Sequence, residues 1–237
     1  RGPFARASAS LWVDGKRIYE ASGIGMRIVE GGAADGRPTE LDPARDTWLN
    51  DHCPTWTVPA LPMMSMVDLL AQATRSNERL IGLRDVRVKG WLVCDQPRRL
   101  RCERDQDRVR LVLDEPEGER EVASARLIVG DYRDAPASLG ALEGPTAPLP
   151  YADGSLFHGP AFQLLESLVR TSTGASSQLR ASNSIPLGLL NPGLLDAATH
   201  GIPHDRLHEW DARLSPDKVA YPAWIPELEL GDPGRIG

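Results

Sequence analysis

Lysine is scarce in this sequence. Lys16, Lys89 and Lys218 stand beside an abundance of arginine, a coding bias that says nothing about chemistry. The 27 basic residues are outnumbered by 33 acidic ones and interspersed with them, giving a net charge of −6. No basic stripe exists to neutralise a run of phosphates, so nucleic acid is not expected as a partner. No apolar run reaches the roughly 18 residues of a membrane span, and residues 1–20 lack the basic-then-apolar order of a secretory signal. A cytoplasmic protein with no membrane partner is expected. Cysteine is limited to Cys53, Cys94 and Cys102. Their number is odd, their spacing suits no metal site, and the last two sit in strand-like stretches, so all three read as buried thiols. A phosphate loop is missing as well, because "GIGMRI" lacks both the third glycine and a following helix.

What is present is an ordinary soluble balance of 41% hydrophobic and 25% charged residues over a length of 237, enough for two domains, each with its own core. Two alternating runs flank Asp14-Gly15, a hairpin dipeptide. Met63 to Arg75 is apolar nearly all round, which predicts a wrapped helix rather than one laid on a surface. "LRDVRVKGWLVC", "RRLRCERDQDRVRLVLD" and "REVASARLIVGDY" follow as strands rich in alternation. One helix with a sheet curled around it is the simplest packing. Residues 136–149 are rich in Pro, Ala and Gly without periodicity, and predict a linker. The order then repeats over 150–237: strands, a short helix with Asn191 as cap and Pro192 in its first turn, and a last strand within "DKVAYPAWIPELEL". Residues 215–237 offer few strands, so the second unit is expected to be incomplete beside the first, residues 1–135.

Two polar groups sit in apolar surroundings. His52 stands just ahead of the first helix in "DHCPTWTVPALPMMSMVDLLAQA", where a histidine could be a cap, a hydrogen-bonded core residue, a metal ligand or a general base. Asp196 lies inside the second helix between leucines and alanines, with His200 one turn on along the same face. His200, His204 and His208 have a spacing that would align three ligands on a continuous helix, but Gly201 and Pro203 break it. No metal is expected. Cys53 adjoins His52, yet neighbours in extended chain point apart, which argues against a thiol nucleophile.

These stretches together resemble the dehydratase domains of polyketide synthases. His52 resembles the histidine of the family's H-x-x-x-G-x-x-x-x-P motif, with Trp56 at its glycine and Pro62 one place beyond its proline. "SLFHGPAF" is similar to G-Y-x-Y-G-P-x-F, with Gly159, Pro160 and Phe162 retained and Ser155, Leu156 and His158 in place of a glycine and two tyrosines. "LLDAATH" matches D-x-x-x-Q/H at Asp196 and His200, "YPAW" echoes L-P-F-x-W, and "LFHGPAFQ" looks closest to iterative synthases of the enediyne or polyunsaturated type.

The resemblance implies an α+β double hotdog that removes water from a 3-hydroxyacyl thioester, with His52 as base and Asp196 as acid. It implies Trp56, Pro62, His158, Gly159, Pro160, Phe162 and His200 around the substrate. It further implies no cofactor beyond the phosphopantetheine of an acyl carrier protein, neighbouring synthase domains as partners, and a homodimer within the parent synthase. A hotdog cyclase or product-template domain, or a non-catalytic module for dimerisation or carrier docking, are the alternatives. Burial is expected to outweigh the helix dipole at Asp196 and keep its carboxyl protonated near neutrality.

Overall fold

The computed structural model describes residues 4–13, 16–27, 38–54, 57–132 and 141–231, the first two stretches as backbone only. Strands β1 (Phe4–Val13) and β2 (Lys16–Arg27) form an antiparallel hairpin, and its Asp14-Gly15 turn falls outside the described residues. A six-stranded antiparallel sheet follows. Its members are β3 (Thr39–Leu41), β4 (Leu80–Val88), β5 (Arg98–Asp105), β6 (Arg108–Glu115), β7 (Gly118–Val129) and β10 (Trp224–Glu229), in the order β10-β4-β7-β6-β5-β3. The turns explain much of this register. Gln106-Asp107 links β5 to β6 with Gln106 at φ 55°, and Pro116-Glu117 links β6 to β7 with Gly118 at φ 131°. Both are two-residue hairpin connections, which fix pairing at short range. Along β6, Val109, Leu111 and Leu113 face the core while Arg110 turns outward to Glu103 and Glu121, the alternation of a half-buried strand.

Helix α1 (Met63–Ala71) lies against β4, β6 and β7 and is buried at every position except Leu69. It is shorter than the predicted 63–75. Thr74 Oγ1 donates to the Ala71 carbonyl at 2.7 Å, turning the chain where the helix would have continued. Met66, Val67, Leu70, Leu83, Leu100, Leu111 and Leu113 form the centre of this first core.

The second unit is smaller. Strands β8 (Leu165–Thr171) and β9 (Gly174–Leu179) pair antiparallel, and helix α2 (Pro192–Ala197) packs on them through Leu164, Leu168, Ala175, Leu194 and Ala197. The predicted cap is present, since Asn191 Oδ1 accepts from Leu194 N at 3.0 Å. Among described residues 215–231, β10 is the single strand, and it pairs with β4 in the sheet around α1 rather than with β8 or β9. The N-terminal hairpin makes the reverse exchange, β2 lying along β9. Chain therefore crosses the boundary between 1–135 and 150–237 in both directions. Of the linker, residues 141–149 are described, and part of it is docked: Thr146 bridges Val169, and Ala147 N donates to Leu168 O at 2.8 Å.

The two helices touch, and Asp68 fixes how. It projects from α1 to accept from Leu190 N at 2.7 Å and Gln72 Nε2 at 2.9 Å, tying α1 to the segment that leads into α2. A Cβ at Gly188 would lie 2.1 Å from Gln72 Nε2 and 2.3 Å from Asp68 Oδ2, so these two side-chain ends would have to shift to admit one. Burial raises the Asp68 pKa to about 6, against the pull of these donors.

Candidate active site

A 3-10 turn, Thr47–Asp51, anchored by fully buried Leu49, delivers His52 to the junction of the two units. There the chain pairs with the segment before β8. His52 and His158 form an isolated antiparallel bridge, and Gly159 N donates to Asp51 O at 2.7 Å. The Asp51 carboxylate also accepts from Ala161 N at 2.8 Å, at the start of the turn Pro160–Phe162. Gly159 is required by this contact, because a Cβ would lie 2.3 Å from Asp51 Oδ1. His52 is buried, and its Nδ1–H donates to Ala60 O at 2.7 Å. That bond fixes the tautomer and leaves Nε2 with a free lone pair.

Asp196 arrives from α2. Its Oδ2 accepts from His200 Nε2 at 3.0 Å, and His158 Nε2 stands 3.2 Å from the same oxygen. The His158 contact lacks the alignment of a good hydrogen bond, and His158 Nδ1 has no hydrogen-bond partner among the described residues. Behind His200, Tyr151 Oη lies 2.8 Å from Nδ1 and accepts from Leu165 N at 3.4 Å. With Asp196 ionised, every proton in this chain has one consistent place: Leu165 N–H to Tyr151, Tyr151 O–H to His200 Nδ1, His200 Nε2–H to Asp196. One donor atom each from His52, His158 and Asp196 lies within 4.8 Å of the others.

The electrostatics correct one expectation. Burial does push the Asp196 carboxyl up, but the imidazoles of His158 and His200 together outweigh it and hold the pKa well below the usual carboxylate range. Sequence reasoning weighed burial against a helix dipole and did not count two imidazoles on one oxygen. At His52, burial, with His158 adding to it, lowers the pKa to about 4, so the ring is neutral near pH 7. Burial also lowers His158 and His200.

The other expected residues fall into place unevenly. Phe162 is buried, its ring centroid 5.5 Å from that of His52 and 5.7 Å from that of His158. Pro62 is buried and extended immediately before α1, whereas Pro160 is exposed at the first position of its turn. Trp56 lies outside the described residues. His204 takes no part in the cluster, because its ring nitrogens face Ala220 O and Thr199 O. Three contributors went unforeseen: Tyr151, Asp51 and Phe157, which stacks on His158 at 4.2 Å and meets His52 edge-on at 5.1 Å. Asp51 was readable as a carboxylate directly before His52; Tyr151, in the coil after the linker, carried no signal.

No protein-family model matches the sequence, and no curated protein matches it. Solved structures do. GphF dehydratase 1 aligns with a TM-score of 0.61 at 20% identity, over 86% of this chain and 79% of that one. The dehydratase domain of the CurF module of curacin polyketide synthase aligns at 0.59 and 14%, over 81% and 76%. An isomerase-inactive variant of GphF dehydratase 1 gives 0.56 and 21% over 70% of this chain, which spans 65% of that structure. The fold is that of the polyketide synthase dehydratase domains. In that dehydratase frame the double hotdog is explicit: the six-stranded sheet wraps α1, β8 and β9 cover α2, and the segments bearing His52 and Asp196 meet between them. The dehydratase-like motif residues His52, His158, Gly159, Asp196 and His200, scattered in sequence, gather at one place.

Proposed function

We propose that this chain is the dehydratase domain of a polyketide synthase. It removes water from a 3-hydroxyacyl thioester, carried on the phosphopantetheine of an acyl carrier protein, to give a 2-enoyl thioester. It works in the cytoplasm among the other synthase domains and needs no cofactor, since elimination involves no net redox change. The observation that carries this reading is the buried encounter of His52, with Nε2 free, and Asp196 across the junction of two hotdog units.

The elimination needs a base for an α-proton of modest acidity and an acid for hydroxide, a poor leaving group. His52 is the base. Its Nδ1–H is committed to Ala60 O and its ring is neutral, so Nε2 is free to accept. The acid is the Asp196 unit rather than Asp196 alone. To act, the unit takes up one proton beyond its resting ionised form, shared between the Asp196 carboxylate and the facing His158 nitrogen. That proton leaves with hydroxide, while Tyr151 holds His200 in the orientation in which its Nε2–H steadies the carboxylate. Phe157 and Phe162 close around the His52 ring and limit water there.

The test is mass spectrometry of a 3-hydroxyacyl thioester on carrier protein, with parent, His52→Ala and Asp196→Asn. Loss of one water by the parent and a fall of about 10²–10⁴-fold in each variant are expected. His52→Ala turning over within tenfold of the parent overturns the base assignment. Ring formation from a poly-keto thioester would mark a cyclase instead, and background turnover by a well-folded parent would mark a non-catalytic module.

A further inference from the structure

His158 is buried, yet neither of its ring nitrogens makes an aligned hydrogen bond with a described residue. Buried polar atoms are paired in the great majority of cases, and an unpaired one costs free energy. Its neighbours are set up differently. His52 has one nitrogen committed to a backbone carbonyl and the other free, the arrangement that orients a metal-binding imidazole. Asp196 is steadied by His200, and His200 in turn by Tyr151, which is how a ligating carboxylate is held in place. One donor atom from each of His52, His158 and Asp196 falls within 4.8 Å of the others, and all three residues are buried.

We propose that His52, His158 and Asp196 form a binding site for a first-row divalent metal ion of the zinc class. Bonds of about 2.0–2.1 Å to a tetrahedral ion need donors about 3.3 Å apart. The pair His158 Nε2 and Asp196 Oδ2 already meets this at 3.2 Å, and the His52 donor lies within 4.8 Å of both, which leaves at most about 1.5 Å to close on the ion. Two imidazoles and one carboxylate suit zinc and its neighbours rather than magnesium or calcium, and they leave a fourth position open. The third ligand exists because histidine stands at residue 158, where the resembled motif has tyrosine. The ion would sit between base and acid, so it excludes substrate, and zinc acts as a reversible inhibitor. Binding stands independently of the dehydratase reading; inhibition rests on it.

The experiment titrates chelator-treated protein with Zn²⁺ alone by calorimetry, and with Co²⁺ followed by visible absorption. About one equivalent is expected to bind, with the absorption of a four-coordinate nitrogen and oxygen site. Affinity should fall at least about tenfold in His158→Tyr and in Asp196→Asn. His158→Tyr restores the residue of the resembled motif, and thermal melting of both variants verifies their folding. No binding by the parent, or binding undiminished in both folded variants, overturns the site. In the activity arm, zinc should abolish dehydration by metal-free protein and chelator should restore it; dehydration indifferent to saturating zinc overturns the inhibition. Stoichiometric binding lost in both variants, in a chain that does not dehydrate even when metal-free, upholds the site while removing the dehydratase reading.

Discussion

At Asp68, desolvation and hydrogen bonding oppose each other, and desolvation wins, raising the pKa to about 6 from an ordinary value of 3.8. A carboxyl with a raised folded-state pKa binds its proton more tightly in the native than in the unfolded chain. Stability from this group is therefore full below pH 3.8 and declines as pH rises through about 6. The decline amounts to roughly 3 kcal/mol. Asp68→Asn keeps the shape and has no proton to lose, so its stability relative to the parent should climb by about that amount between pH 4 and pH 7. Denaturant unfolding at the two pH values checks this, and a gap that does not change with pH contradicts it. Single residues were legible in the sequence where they broke their surroundings. Asp196 among leucines and alanines, and His52 between prolines and an apolar helix, drew attention for that reason. Tyr151 did not, because its role lies in one contact with His200, which no local pattern encodes. The ionised state of Asp196 was hidden for the same reason, since His158 reaches it from another segment of the chain.

Among the elements, α2 was readable because its start is written locally: Asn191 accepts from Leu194 N, and Pro192 occupies the first turn. Asn191→Ala should cost about 1 kcal/mol in equilibrium unfolding, the usual worth of such a cap. The pairing of the His52 and His158 segments was not readable, because it depends on a close backbone approach between distant stretches. Gly159→Ala tests that approach. Its Cβ would lie 2.3 Å from Asp51 Oδ1 and 2.9 Å from Asp51 Cβ, too near the backbone for a side-chain swing to relieve. A loss of about 1–3 kcal/mol is expected, with a lower melting temperature and a larger fall in turnover, since His52 and His158 are displaced together. Melting and turnover unchanged from the parent would show that the junction has slack.

Over the whole molecule, the double arrangement of sheet-wrapped helices followed from periodicity, whereas the exchange of outer strands did not. Alternation marks a strand but does not name its partner. The shortage of strands in residues 215–231 was legible, and what escaped was that the strand found there completes the other unit. β10 covers one edge of β4 and adds Ile225 and Leu228 to the first core. Ending the chain before Trp224 should cost roughly 2–3 kcal/mol of partial apolar burial, and it bares a sheet edge able to pair with another molecule. A lower melting temperature and association in gel filtration are expected; a truncated chain that stays monomeric and equally stable refutes this. The position of β10 also sets an order of events during synthesis. The ribosome makes α1 and β4 through β7 early, but the strand that closes their sheet is among the last described residues to emerge. Until then the growing chain carries an unpaired edge, and Asp196 is already available before the unit holding His52 is sealed. Nascent chains halted before residue 224 should be cleaved by protease around β4, and chains that include β10 protected there. Protease resistance and activity should thus arrive together once β10 has emerged and paired with β4, rather than one unit at a time.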